Sequence, residues 1–201
     1  MKILIITPML KEFHSAREVF GAVEKDFPET FRLAKIFFKV HEIHLLQCGF
    51  CVEDAMAAYE DTFGIPDLLV DTGSCGSLKE GLLLGTIVQG KVLLKENESL
   101  FHSPPIYIND PDVQYVRLLE VENAVMNEED KKIYQIRADV CTMESYRIFS
   151  KSIEWNCRFL SLRVVTDHAD AQGSSDFKRN IRPFSMKLYA FLKDFLMNIS
   201  H

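Results

Sequence analysis

Nothing in this sequence approaches the ~20 apolar residues in a row that a membrane-spanning helix needs. A basic surplus is missing too. Lysine and arginine number 23 against 29 acidic residues, a net charge of −6. That balance argues against a general binder of nucleic acid or anionic membrane, since both reward a basic surface, and no basic run or aromatic–basic interleaving contradicts it. Internal repeats, low-complexity tracts and linkers are absent as well. One domain spanning 1–201 is therefore expected, large enough for a substantial core. What remains is ordinary soluble material, 47% hydrophobic and 26% charged. The opening Ile3-Leu4-Ile5-Ile6 is broken by Thr7-Pro8 and closed by Lys11-Glu12. It reads as a first β-strand rather than a signal peptide, and a cytoplasmic location is expected.

The cysteine count argues against a disulfide framework as well. Five cysteines, an odd number, fit a reducing compartment. Cys48-Gly49-Phe50-Cys51 lies between a strand and a helix, the setting of a thioredoxin-type pair. A thioredoxin-like chain would be much shorter, however, with that motif near its first helix. No second pair stands at zinc-ligand spacing. All five, Cys48, Cys51, Cys75, Cys141 and Cys157, are expected to be small buried residues.

Periodicity predicts an α/β protein. Strands are expected at 3–6, 31–40, 43–47, 67–71, 86–94, 113–121, 132–137 and 158–165. Helices are expected at 10–23, carrying Phe13, Ala16, Phe20 and Val23 on one face, at 52–63, at 143–155, and in a C-terminal segment with Phe184, Leu188 and Leu192 facing inward. Gly64-Ile65-Pro66 stops the second helix. The stretch 95–111 has no clear period, and His102-Ser103-Pro104-Pro105 marks a loop. Repeated β-α-β units give the expected architecture: a three-layer α/β/α domain around a twisted, mostly parallel mixed sheet.

Ligands of such sheets bind at the carboxyl ends of strands. Four of those ends carry unusual residues: Glu12, the Gly73-Ser74-Cys75-Gly76 turn behind Leu68-Leu69-Val70, Met143-Glu144, and Thr166-Asp167. Polar residues at the exits of four separate apolar segments can converge on one pocket. Each has a plainer explanation. Glu12 sits where a helix dipole favours an acid, Asp167 could cap the next turn, and Arg163 could be a structural ion-pair partner. His41 and His44 face opposite sides of a strand and do not suit a shared metal. His168 is expected beside the site or exposed; His102, in the loop-rich middle, could reach a substrate but is not among the candidate site residues.

Taken in order, these segments resemble the nucleoside phosphorylase/nucleosidase superfamily, most closely its 5'-methylthioadenosine/S-adenosylhomocysteine nucleosidases. The similarity rests on Met9-x-x-Glu12, Thr72-Gly73-Ser74-x-Gly76 followed by Gly85-Thr86-Ile87-Val88, Met143-Glu144, and Arg163-Val164-Val165-Thr166-Asp167. The resemblance implies that Glu12 orients the attacking water and that Asp167 is the acid serving the purine ring nitrogen N7. It also implies that Glu144 accepts from the ribose hydroxyls while Met143 packs on the sugar. Ser74, Gly76, Arg163 and Thr166 would hold substrate, water or Glu12 in place. Neither metal nor organic cofactor is implied; the partner is a small-molecule nucleoside, and a homodimer is expected. Two carboxyl groups flanking one glycosidic bond is a division of labour known from sugar hydrolysis.

Phosphorylase members carry an arginine two residues before the Gly of Gly-Ser-x-Gly, where this chain has Asp71. A carboxylate there would repel a phosphate dianion, so water is the expected second substrate. The chain departs from the family pattern at Thr142, where a glutamate is common, and in the short stretch between Val88 and Met143. It departs again at Cys48-Gly49-Phe50-Cys51. Glu122-Asn123-Ala124-Val125 approximates the turn that contacts the base. The alternatives are a nucleosidase for a futalosine-type substrate, a non-catalytic nucleoside-binding homologue, and a thiol redox protein.

Overall fold

The computed structural model describes residues 1–28, 30–96, 106 and 108–199, with the backbone alone at 101–102. The expected loop at 103–105 and the side chain of His102 lie outside the described residues.

In chain order the elements are β1 (Lys2–Thr7), α1 (Leu10–Phe20), β2 (Val23–Lys25), β3 (Arg32–Phe38), β4 (His41–Gln47), α2 (Val52–Phe63), β5 (Leu68–Ser77), β6 (Ile87–Lys95) and β7 (Phe101–His102). Then follow β8 (Val113–Glu120), α3 (Glu128–Tyr134), β9 (Val140–Thr142), α4 (Ser145–Glu154), β10 (Arg158–Asp167) and α5 (Gly173–Asn198). The central run β4–β1–β5–β10 is parallel, and antiparallel pairs flank it. Alternation along β1 shows how the three layers form. Ile3 and Ile5 enter one core with Phe13 of α1 and Leu188 and Leu192 of α5, while Leu4 and Ile6 enter another with Met56 of α2 and Phe149 of α4. A strand buried on both faces needs apolar residues at every position, which is why β1 reads as an unbroken run.

The sheet also closes on itself. β10 pairs with both β5 and β6, β6 continues to β8 and β9, and β9 returns to the far end of β5 at Gly76–Cys141. Gly90 permits the tight interior of this ring, since a Cβ there would stand 3.1 Å from the Ser161 hydroxyl. The remaining strands β1, β4, β3 and β2 extend from β5 as an open sheet.

Several sequence expectations are corrected. Residues 132–137 belong to the end of α3 and its exit rather than to a strand. Asn127 caps α3 by accepting the Asp130 N–H, three acids fill its first turn, and none of its residues is buried. The first helix stops at Phe20 because Gly21 takes a left-handed C-cap (φ 70°), so Val23 starts β2 and is exposed. Met143 and Glu144 precede α4 instead of lying within it. The Gly73–Gly76 stretch is the distal half of β5, not a turn after it. Among the cysteines, Cys51 is exposed and Cys157 only part-buried. Burial and the neighbouring acids push the Cys48 thiol far up, opposite to the acidic thiol a redox pair requires.

Candidate active site

The carboxyl ends of β5, β9 and β10 meet the first turns of α1, α4 and α5 around one cleft. Ser74, Gly76, Met143, Glu144, Thr166 and Asp167 line it, as expected. Glu12 and Arg163 do not: both are 1% exposed and stand directly behind the wall. Glu12 does close the start of α1, since its Oε2 accepts the Met9 N–H at 2.9 Å. Its other oxygen binds Ser74 of the cleft wall. Oε1 accepts the Ser74 N–H at 2.8 Å and the Ser74 hydroxyl at 2.9 Å. Gly73 makes that approach possible, because a Cβ there would lie 2.9 Å from Glu12 Oε1 and 3.1 Å from Arg163 Nη1. Its φ of 133° also suits glycine.

Arg163 is the buried hub. It pairs with Asp71 through Nη2 and through Nε at 3.3 Å, donates to the Ser74 carbonyl at 3.2 Å, and lies 3.6 Å from Glu144 Oε2. Asp71 is fully buried and also accepts from the Ser161 hydroxyl at 2.7 Å. Asp71 presents no bare charge to the cleft; it neutralises Arg163 close behind the wall. Among the described residues that line the cleft there is no lysine, arginine or histidine.

Three carboxyl groups share this corner, and burial acts on each. Burial raises the Glu12 carboxyl against the Met9 N–H, Arg163 and Ser74, which favour its charge. It raises Glu144 to about 7, with Arg163 opposing and Glu12 and Asp71 adding to the rise. Asp167 is also raised by burial, although it accepts the Ala169 N–H at 3.0 Å and the Thr166 hydroxyl at 2.9 Å. Gly76 lets Asp167 sit this deep, since a Cβ there would come within 2.9 Å of Asp167 Oδ1. A carboxyl that retains its proton near neutrality can act as an acid. The described residues contain no group of three or more His, Cys, Asp or Glu placed to hold a metal ion, and none of their helices is long and apolar enough to cross a membrane.

No protein-family model matches the chain. Among curated proteins it is similar to the 5'-methylthioadenosine/S-adenosylhomocysteine nucleosidase of Buchnera aphidicola (subsp. Acyrthosiphon pisum), at 23% identity over 99% of both chains. Among solved structures it resembles a mutant Helicobacter pylori nucleosidase holding 5'-methylthioadenosine, with a TM-score of 0.87 and 15% identity over 98% of this chain and 99% of that one. Helicobacter pylori futalosine hydrolase aligns with a TM-score of 0.88 and 15% identity over 99% and 98% of the two chains. The Streptococcus pneumoniae methylthioadenosine/S-adenosylhomocysteine nucleosidase aligns at 0.83 and 20% over 97% and 100%. The chain shares the fold of these nucleosidases.

The remaining walls of the cleft come from the stretch after β8, from two aromatic residues and from small side chains. Val121, Ala124, Val125 and Met126 line the cleft, so Ala124 and Val125 of the Glu122–Val125 stretch are part of its wall. The aromatic rings at the cleft are Phe50, on the loop before α2, and Phe177 of α5. Neither had a sequence signal: one is an exposed loop residue and the other lies between polar neighbours on a long helix. Cys75, Cys141 and Thr142 also line it, with Met9, Gly173 and Ser174.

The raised Glu144 makes a stability prediction. The unfolded carboxyl titrates near 4.5 and the folded one near about 7. The folded chain therefore keeps this proton over a range where the unfolded chain has released it. That contribution is full below 4.5 and lost as pH rises through about 7. Glu144→Gln removes the buried charge, so it should unfold at higher urea than the parent at pH 8, by roughly 1–3 kcal/mol, and converge with it near pH 4. Equal stabilities of the two at pH 8 would show that Glu144 is not held at that expense.

Proposed function

We propose that this protein is a purine nucleosidase that hydrolyses the N-glycosidic bond of a modified adenosine of the 5'-methylthioadenosine or S-adenosylhomocysteine type. The observation that carries this reading is a cleft lined by carboxyl groups, with no cation on its described lining and with the arginines behind its wall paired, Arg163 to Asp71 and Arg147 to Glu120. In the proposed reaction Asp167 gives its proton to the purine as the bond from the ring to the anomeric carbon breaks. The sugar passes through an oxocarbenium-like cation, which nearby negative charge at Glu144 and Glu12 stabilises. Glu144, with Met143 beside it, takes the ribose hydroxyls. Water held at Ser74 and Glu12 forms the new bond to the anomeric carbon and yields its proton to Glu12. Arg163 touches none of the reacting atoms; it positions Ser74 and Glu144.

The same proposal includes a homodimer acting in the cytoplasm in purine salvage. Met9 and Phe50 at the cleft are 37% and 63% exposed, as residues awaiting a covering surface would be. The structural likeness to futalosine hydrolase keeps one further purine nucleoside class in the test.

Incubating the protein with methylthioadenosine, with and without inorganic phosphate, tests the reading by chromatography of the products. Free adenine and the free sugar are expected at the same rate in both. A phosphorylated sugar, or dependence on phosphate, would defeat the hydrolase. Release of base from a futalosine-type nucleoside alone would move the substrate class, and no release from any purine nucleoside would leave a binding protein.

A further inference from the structure

Arg147, in the first turn of α4, is only half-buried, yet its guanidinium reaches three separate parts of the cleft wall. Nε donates to Glu120 Oε1 at 3.0 Å, Nη2 donates to the Met143 carbonyl, and Nη1 donates to the Phe50 carbonyl at 3.2 Å. Glu53 lies 3.5 Å from Nη1 on the outer side. Glu120 is itself buried and fixed, accepting the N–H groups of Tyr146 and Arg147 at 2.8 and 3.0 Å. It ends β8, whose continuation at Val121–Met126 forms another wall of the cleft.

One cation thus joins the loop carrying Phe50, the Met143 wall and the end of β8. The loop itself has local backbone anchors: the Gly49 N–H donates to the Pro8 carbonyl at 3.0 Å and the Cys51 N–H to the Cys48 carbonyl at 3.2 Å. Those bonds tie it to the end of β1 and to itself. Arg147 ties it across the cleft mouth to α4. A planar guanidinium can serve three acceptors in fixed directions, which a lysine cannot.

We propose that Arg147 is a positioning residue that fastens the Phe50 lip to the Met143 wall, and so sets how tightly the nucleoside is held without entering the bond-breaking step. The proposal rests on the nucleosidase reading of the cleft. Contacts shared equally by substrate and transition state change KM and leave kcat alone.

The test joins kinetics with a thiol readout that needs no turnover. Cys48 sits under the lip at 2% exposure, and its thiol donates to the Gly49 carbonyl. In Arg147→Gln, KM for methylthioadenosine should rise about tenfold with kcat within about threefold. Alkylation of Cys48 by iodoacetamide, followed by mass spectrometry, should quicken about tenfold relative to Cys75 as local opening becomes easier. Arg147→Lys should recover part of both effects. Phe50→Ala leaves the ion network intact and should itself raise KM; in that background Arg147→Gln should add less than about threefold, because the two changes act through one contact. Unchanged Cys48 protection overturns the proposal, as does a fall in kcat at constant KM. If the parent protein releases no base, the nucleosidase reading fails, and Cys48 protection alone then decides whether Arg147 holds the lip.

Discussion

Asp167→Asn should lower base release by about 10²–10⁴-fold, the usual worth of a positioned general acid, while nucleoside binding stays within about fivefold. The variant keeps the shape of the site. Asp167 Oδ1 accepts the Ala169 N–H and Oδ2 accepts the Thr166 hydroxyl. An asparagine can preserve the first bond through its oxygen, and the Thr166 hydroxyl can turn to accept from the new NH2 group. What disappears is the transferable proton. Folding should not suffer either, since burial already disfavours the charged carboxylate. The pH profile supplies a second check. With its carboxyl raised, Asp167 keeps its proton further toward neutrality than an exposed aspartate, and activity should fall as pH rises through that titration. The residual rate of the asparagine variant should lack this alkaline limb. Adenine release by chromatography and nucleoside binding by calorimetry separate chemistry from affinity. A variant that retained more than about a tenth of the activity would remove Asp167 from the role of acid.

The site was legible in the sequence to the extent that its chemistry interrupts apolar runs. Glu12 follows the apolar run of β1, and Ser74 and Asp167 stand in the distal part of β5 and at the end of β10, where a polar residue is conspicuous; Glu144 follows only the short β9. Phe50 and Phe177 line the same cleft and gave no such signal, because an aromatic residue in a loop or on a helix has many ordinary explanations. The closure of the sheet was equally hidden. It depends on β9, only three residues long, returning to Gly76 and Ser77, and pairing of short strands across such sequence distances leaves no local pattern. The stretch 132–137 has no buried face to report its structure: Ile133 of α3 and Ile136 just past its end are both exposed. Asp71 is the most instructive case. Its identity pointed away from phosphate, but the physical reason became visible only with Arg163 beside it: the cation is consumed inside the protein. A sequence reports which charges exist, whereas their pairing is a property of the fold.

Arg163→Met should destabilise the fold by about 3–5 kcal/mol, the usual consequence of removing one partner of a buried ion pair. The arginine is 1% exposed and Asp71 is fully buried, so neither can turn to water when the other is lost. Asp71 would keep only the Ser161 hydroxyl, and Glu144 and Glu12 would lose the positive charge that now opposes their rise. Because the damage is uncompensated negative charge, it should be larger at pH 8 than at pH 5, where raised carboxyls such as Glu144 take up protons. Urea unfolding at the two pH values measures this, and an equal loss at both would mean that lost packing, not charge, is responsible. A second substitution separates fold from function. Asp71→Asn combined with Arg163→Met removes both charges of the central pair and should recover much of the lost stability, since a buried pair replaced as a unit is often near neutral. It should not recover base release. The Ser74 carbonyl and Glu144 would still lack the donor that aligns them, and a small misplacement of a catalytic group is costly to rate. A double variant that regained both stability and activity would reduce Arg163 to a structural counter-ion and leave Ser74 and Glu144 able to align without it.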